Sequence, residues 1–225
     1  MSLEKIPNRT DYVDVVYKSL LDAISAGVLA PGERITQEDL AEKLNVSRSP
    51  VLQALRLLKK DGLLEEAPGR GLVVAHLDPV RIGHLYQVRG SLDALAARLA
   101  SLRKAKIPLS LIQEGRRAAE GGDVNALIEA DTAFHKAIYE ASGNPYIIET
   151  AMLHWIHLRR VMGAVHQYQL GRSGIWDEHE AIVKAIHDGN ADLAASLSEK
   201  HTNLARESLV LTLTTSDIAP LQMKA

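Results

Sequence analysis

Four side chains able to bind a metal ion stand where three helical segments should bury their apolar stripes: Asp131, His135, His179 and His201. On the segment 123 to 141 the stripe runs Val124, Leu127, Asp131, Phe134, His135 and Ile138. On 174 to 188 it runs Ile175, His179, Ile182 and Ile186, and on 190 to 214 Leu193, Leu197, His201, Leu204 and Leu211. Spacings of three and four place the members of each set on one helix face, so their own neighbours drive a carboxylate and three imidazoles inward. A single histidine on such a stripe is ordinarily a core residue hydrogen-bonded to a carbonyl. Three of them on three stripes, with an aspartate one turn before the first, point to a shared cation, a common remedy for a buried carboxylate. The remaining histidines, His76, His84, His154, His157, His166 and His187, are less regularly centred and read as surface or structural, although His154 and His157 could line the same cavity.

The chain has 225 residues and no cysteine. Disulfides and thiolate metal sites are excluded, and metal chemistry must be that of imidazole and carboxylate. Three imidazoles and one carboxylate suit a divalent late first-row ion, Zn first and Ni or a neighbour next, better than Ca or Mg. The start, MSLEKIPNRT, lacks a signal peptide's apolar core, its opening MSL could be an expression remnant, and no stretch approaches the roughly 18 apolar residues of a membrane span. The expectation is a cytoplasmic protein with no membrane association. Aromatics are only 4% of residues, and strand-like alternation is confined to one short stretch, so the fold class expected is mainly α.

The elements that would position these groups fall into two parts. Residues 11 to 27 read as a helix with Val13, Val16, Leu20 and Ile24 on one side, stopped at Gly27 and the Pro31-Gly32 pair. A second helix starts at Thr36, a hydroxyl N-cap followed by acids, and continues through Leu40, Ala41 and Leu44. After the turn at Asn45 to Ser47 a third helix starts with Ser47 as cap and Pro50 in its first turn, burying Val51, Ala54, Leu55 and Leu58. LLEEAPGRGLVVAHL then reads as a β-hairpin with a cationic tip. Helix, helix, turn, helix and hairpin is the order of a winged helix-turn-helix, which lays its last helix in the DNA major groove. The boundary falls near Asp78-Pro79, giving a DNA-binding domain over 1–77, an all-α antiparallel bundle over 78–215 and a frayed tail over 216–225. Six helices fill the bundle, roughly 80 to 102, 108 to 120, 123 to 141, 145 to 169, 174 to 188 and 190 to 214.

Charge alone does not announce DNA. Residues 1–77 hold ten Lys and Arg against eleven Asp and Glu, a net of −1. The distribution is informative: the segment Ser47 to Lys60 carries Arg48, Arg56, Lys59 and Lys60 with no acid, and Arg70 sits at the hairpin tip.

SAGVLAPGERITQEDLAEKLNVSRSPVLQALRLLKKDGLLEEAPGRGLVVA resembles the DNA-binding domain of the GntR family of bacterial transcription regulators. DTAFHKAIYEASGNP and EHEAIVKAIHDGNADLAASLSEKH resemble the FadR-type effector domain, the FCD branch. The resemblance implies a homodimer that binds a short palindromic double-stranded DNA operator and changes its grip, most often releasing it, when a small carboxylic acid enters the bundle. It assigns metal ligation to Asp131, His135, His179 and His201, the same four that periodicity selects. It carries a DNA contact onto Arg48. In the family pattern VSRTPVREAL the second Arg falls on Leu52 and the following Glu on Gln53, a departure that matters because Arg reads guanine bidentately, whereas Leu can meet only a thymine methyl. Ser47, Ser49 and Gln53 remain polar reach toward DNA, and Gly69, Arg70 and Gly71 would let the wing approach the minor groove. The family's cavity arginine falls on Arg89, whose alternative is a salt bridge to Asp93 at i+4; Arg159 or Arg160 is a second cation for the effector.

Two other classes compete with a regulator. A metal-dependent hydrolase would need a base, and Glu180 beside His179 is the candidate, yet adjacent helical residues point about 100° apart. A purely structural metal site is the third.

Overall fold

The computed structural model describes residues 12–167 and 174–215, with side chains at 165–167 left aside. The tail over 216–225 and the extreme N-terminus lie outside the described residues. The described chain divides into two compact units, 12–24 with 28–75 and 25–27 with 76 onward.

The first unit contains α1 (Tyr12–Ser25), β1 (Arg34–Ile35), α2 (Gln37–Lys43), α3 (Arg48–Lys60), β2 (Leu64–Glu66) and β3 (Leu72–Val74). Thr36 caps α2 as expected, its hydroxyl accepting the amide of Asp39. Ser47 holds the N-cap position of α3, but its hydroxyl makes no capping bond. Val51, Ala54, Leu55 and Leu58 are buried on α3, the face read from sequence. Tyr17 on α1 donates its hydroxyl to Asp61 at 2.7 Å, pinning α1 to the C-terminal end of α3. The expected hairpin is the larger part of a three-stranded antiparallel sheet of order β1-β3-β2, in which Arg34 pairs with Val73 and Leu64 with Val74. A two-residue strand such as β1 has no periodicity to betray it; it exists because β3 offers a free edge.

The second unit is helical: α4 (Pro79–Leu102), α5 (Ser110–Gly121), α6 (Val124–Ala141), α7 (Pro145–Gln167), α8 (Ile175–His187) and α9 (Ala191–Thr215). Asp78 caps α4 through the amides of Val80 and Arg81 with Pro79 in its first turn, and Asp123 caps α6 through those of Asn125 and Ala126. Pro145 opens α7 and Gly189 separates α8 from α9, as the breaks in the sequence indicate. The core gathers Tyr86, Ile128, Phe134, Tyr139, Trp155, Leu158, Ile182, Ile186 and Leu213, among others. On α9 the buried face differs from the stripe read in sequence. Leu193 and Leu211 are exposed, while Ala194, Ala195, Ser198, Thr202, Leu209 and Leu213 are buried with His201. The cause is close packing against α4: a methyl added at Gly90 would lie 3.5 Å from the Thr202 methyl, so small residues, rather than leucines, mark the contact line. Among the described residues no helix is long and apolar enough to cross a membrane.

Candidate functional site

α6 delivers Asp131 and His135 one turn apart, α8 delivers His179 and α9 delivers His201, all four buried. Each imidazole offers one ligand nitrogen, and the three nitrogens lie within 4.8 Å of one another. Nε2 of His179 is 3.2 Å from Nε2 of His201. Asp131 Oδ1 lies 3.6 Å from Nε2 of His179 and 3.8 Å from Nε2 of His135. Bonds of about 2.1 Å to one ion would leave neighbouring donors about 3.0–3.4 Å apart, so the observed separations need only a small contraction around a divalent ion. The donor set and its spacing fit a transition metal, and the fit rests on residues from three helices that periodicity had placed only on separate stripes.

Aromatic walls hold the imidazoles. Phe134 stacks on His179 with ring centroids 3.9 Å apart, and Trp176 meets the same imidazole edge-on at 4.7 Å. Trp176 fits because position 115 on α5 is glycine. Burial raises the pKa of Asp131 even though Arg89 and His201 oppose the rise. Burial, followed by the charge of Arg89, lowers that of His135 well below the ordinary histidine value. In the absence of a metal Asp131 therefore resists its charged form, which a bound cation would relieve, while His135 is held neutral, the form in which imidazole ligates.

Arg89 on α4 is buried beside the cluster. Its Nε donates to Asp93 Oδ2 at 3.1 Å, so the i+4 salt bridge forms. Its other end is also used: a terminal NH2 lies 2.8 Å from Nε2 of His135. Guanidinium can only donate, so His135 must present the Nε2 lone pair and carry its proton on Nδ1, which lies 3.8 Å from Asp93 Oδ2. The lone pair that Arg89 holds is the one a metal would take. The guanidinium also sits 4.8 Å over Trp155 and 5.3 Å from the Tyr86 ring. Burial opposes its charge, but Asp93, Tyr86, Tyr139 and Asp131 together outweigh it and raise its pKa. Asp93, which sequence reading treated only as a competing partner for Arg89, is the hub of the network, accepting also from the Tyr139 hydroxyl and from Thr202 Oγ1, the latter at 2.9 Å.

Other sequence candidates separate clearly. Arg160 is buried and Arg159 half-buried on α7. Glu180, considered as a base, points outward and accepts from Arg116 at 2.8 Å, as its angular offset from His179 requires. Glu178, not singled out in the sequence, lies with its Oε2 2.8 Å from Nδ1 of His201. His187 is structural, its Nε2 accepting the amide of Ile107 at 3.0 Å.

In the first unit, Ser47, Arg48, Ser49, Leu52 and Gln53 are all exposed at the N-terminal half of α3, with Arg56, Lys59 and Lys60 exposed further along. Arg48 pairs with Glu38 of α2 at 3.2 Å, both largely exposed, a contact that phosphate could replace at little cost. Gln53 donates to Ser49 Oγ at 3.3 Å. The tip of the β2–β3 turn holds Gly69 and Gly71 at positive φ, +93° and +102°, with Arg70 between them. Arg34 donates to the Arg70 carbonyl, fastening the tip to β1.

A small sheet closing three helices, the last one cationic and exposed, followed by a helical bundle with a buried His₃/Asp cluster, defines a winged-helix DNA-binding protein with a C-terminal helical domain. The model of bacterial regulatory proteins of the gntR family matches residues 13–74, and that of the FCD domain matches residues 84–204. The chain belongs to the gntR family of bacterial regulatory proteins and carries an FCD domain. It is 29% identical over 199 residues to an HTH-type transcriptional regulator in an unstable DNA locus of Streptomyces ambofaciens, covering 86% of this chain and 81% of that protein. It is 26% identical over 213 residues to the HTH-type transcriptional repressor NanR of Citrobacter rodentium, covering 84% and 82%. The Escherichia coli McbR/YncC structure shares the fold, with a TM-score of 0.75 at 21% identity over 91% of this chain and 99% of that one. The protein is a DNA-binding transcriptional regulator and not an enzyme.

Proposed function

We propose that this regulator is a repressor whose hold on a palindromic operator is controlled by a small carboxylic acid bound at a metal ion in the C-terminal bundle. The observation that carries the reading is the convergence of three imidazole nitrogens with Asp131 alongside, and of the Arg89 guanidinium against the metal-facing lone pair of His135. The ion, Zn before Ni or another late first-row metal, would be held by Asp131, His135, His179 and His201 and would supply a Lewis-acid anchor for a carboxylate. This chain's own residues do the rest. Arg89, released from His135, turns its free fork toward the effector while Asp93 keeps hold of its Nε, and the buried Arg160 is better placed than Arg159 to add a second positive charge. Residues 1–77 are the DNA-binding domain and 78–215 the effector domain. Ser47, Arg48, Ser49, Leu52 and Gln53 face the major groove, and Gly69, Arg70 and Gly71 the minor groove. Leu52, standing where relatives read guanine with Arg, gives this protein a different operator.

A two-fold operator calls for two copies of α3, and the exposed face of α4 suits a second copy of this chain. Val88, Leu95 and Leu102 stand seven residues apart there and are exposed, with Leu85, Leu92 and Leu99 half-buried alongside. No acid is exposed on the helix, and Arg98 is already neutralised by Asp192 at 2.6 Å, so the stretch from Val88 to Leu102 meets its copy without like-charge repulsion, and the exposed Arg81 lies one heptad before it.

The test is operator binding with and without Zn²⁺ and a panel of small carboxylates, starting from ligand co-purified with the protein. A response of about 5- to 150-fold in operator affinity is expected from couplings of this kind. His179→Ala and His201→Ala should bind operator in the metal-free state yet lose metal and lose the response. Elemental analysis finding no metal, or a His201→Ala protein that still responds fully, defeats the mechanism.

A further inference from the structure

Glu178 and Glu180 flank His179 in the EHE triplet, and the fold sends them to opposite sides. Glu180 accepts from Arg116 on the outer surface, with Arg116 also reaching Asp177 at 2.7 Å. Glu178 turns to the neighbouring helix instead, where its Oε2 lies 2.8 Å from Nδ1 of His201, a ring that is itself buried. We propose that Glu178 is a positioning residue for the metal centre, fixing the tautomer and the aim of His201 from behind the imidazole; the proposal rests on the metal reading given above.

A carboxylate beside Nδ1 keeps the proton on that nitrogen, because an ionised carboxylate can only accept. Nε2 of His201 is then a lone pair, and it points at Nε2 of His179, 3.2 Å away. Without Glu178 the neutral ring is free to move its proton to Nε2, where it would donate to His179 and close both nitrogens to a cation. Removing such a carboxylate partner weakens metal binding by about 10- to 100-fold. His135 shows the same arrangement built differently: the obligatory donation from Arg89 to its Nε2 places its proton on Nδ1, toward Asp93. α8 thus supplies one ligand, His179, and the orientation of the ligand on α9, so its N-terminal turn serves two of the three imidazoles.

The experiment uses the full-length protein and Zn²⁺ alone, with affinity measured by chelator competition, and the ring-nitrogen shifts of His201 in the metal-free protein as an independent readout. Glu178→Ala should lower Zn²⁺ affinity by about 10- to 100-fold and shift His201 toward the Nε2–H tautomer. Glu178→Gln, whose amide oxygen can still accept from Nδ1, should keep the tautomer and recover part of the affinity. Glu180→Ala removes a charge of the same sign two residues away and should leave both readouts unchanged. Wild-type affinity in Glu178→Ala, or an equal loss in Glu180→Ala, overturns the proposal while leaving the metal reading intact. A wild-type protein that takes up no Zn²⁺ overturns both.

Discussion

Replacing Gly115 by Ala sets two ordinary expectations against each other. Gly115 lies inside α5, and in a helix interior Ala is favoured over Gly by about 1 kcal/mol. On that ground alone the variant should be more stable. The geometry says the reverse: a Cβ at 115 would fall 2.0, 2.1 and 2.2 Å from Cη2, Cζ2 and Cζ3 of Trp176. Carbon atoms rest about 3.5–4.0 Å apart, so the indole or the helix must retreat by about 1.5 Å. Trp176 has no slack, being buried between Phe134, 6.3 Å away between centroids, and His179 at 4.7 Å. Overpacking of this kind costs about 1–3 kcal/mol, and a clash this deep belongs at the upper end, leaving a net destabilisation of about 2 kcal/mol after the propensity gain. The two tryptophans, Trp155 and Trp176, both belong to the second unit, so their fluorescence follows its unfolding alone. A fall in Tm of about 4–8 °C is expected for a unit of this size. Because the displaced ring is the wall behind His179, Zn²⁺ affinity should fall with it. A Gly115→Ala protein that melts at or above the wild-type temperature would refute the packing argument.

Arg48→Ala should weaken specific operator binding by about 1–3 kcal/mol if the guanidinium reads a base and lower it evenly across sequences if it meets only phosphate, which a binding-site selection at fixed salt will distinguish. Leu52→Arg should change the selected sequence toward guanine at one position of each half-site, and an unchanged selection removes Leu52 from the reading surface. Leu95→Glu should yield a monomer by sedimentation at micromolar concentration with an undisturbed circular dichroism spectrum; a persistent dimer excludes the α4 face. Burial and Arg89 depress the pKa of His135 in the metal-free fold, so its contribution to stability is complete above the ordinary value of 6.5 and is lost as the pH falls toward the depressed one. Urea unfolding followed between about pH 7 and pH 5 should therefore show a shallower pH dependence in His135→Gln, and an identical slope would contradict it.

Where a residue's role depends on its own helix, the amino-acid sequence by itself determined it. The inward turn of Asp131, His135, His179 and His201 follows from spacings of three and four among apolar neighbours, and the outward turn of Glu180 from its offset of about 100° from His179. Thr36, Asp78 and Asp123 mark helix starts because capping is a contact over two or three residues. The order of the three helices and the hairpin in the first 75 residues likewise needs only local turn and period signals. What tertiary structure decided is everything in which one helix answers another. β1 forms because β3 leaves an edge for it, and the leucines at the ends of α9 lie outside because small residues make its contact with α4. Asp93 could be seen as an i+4 partner of Arg89, but its bonds to Tyr139 and Thr202 cross 46 and 109 residues. Glu178 meets His201, 23 residues on, although its neighbour in sequence is His179. Helical periodicity chooses a side chain's face; which imidazole or carboxylate it meets there is chosen by the packing of helices far apart in the chain, and no local pattern encodes that choice.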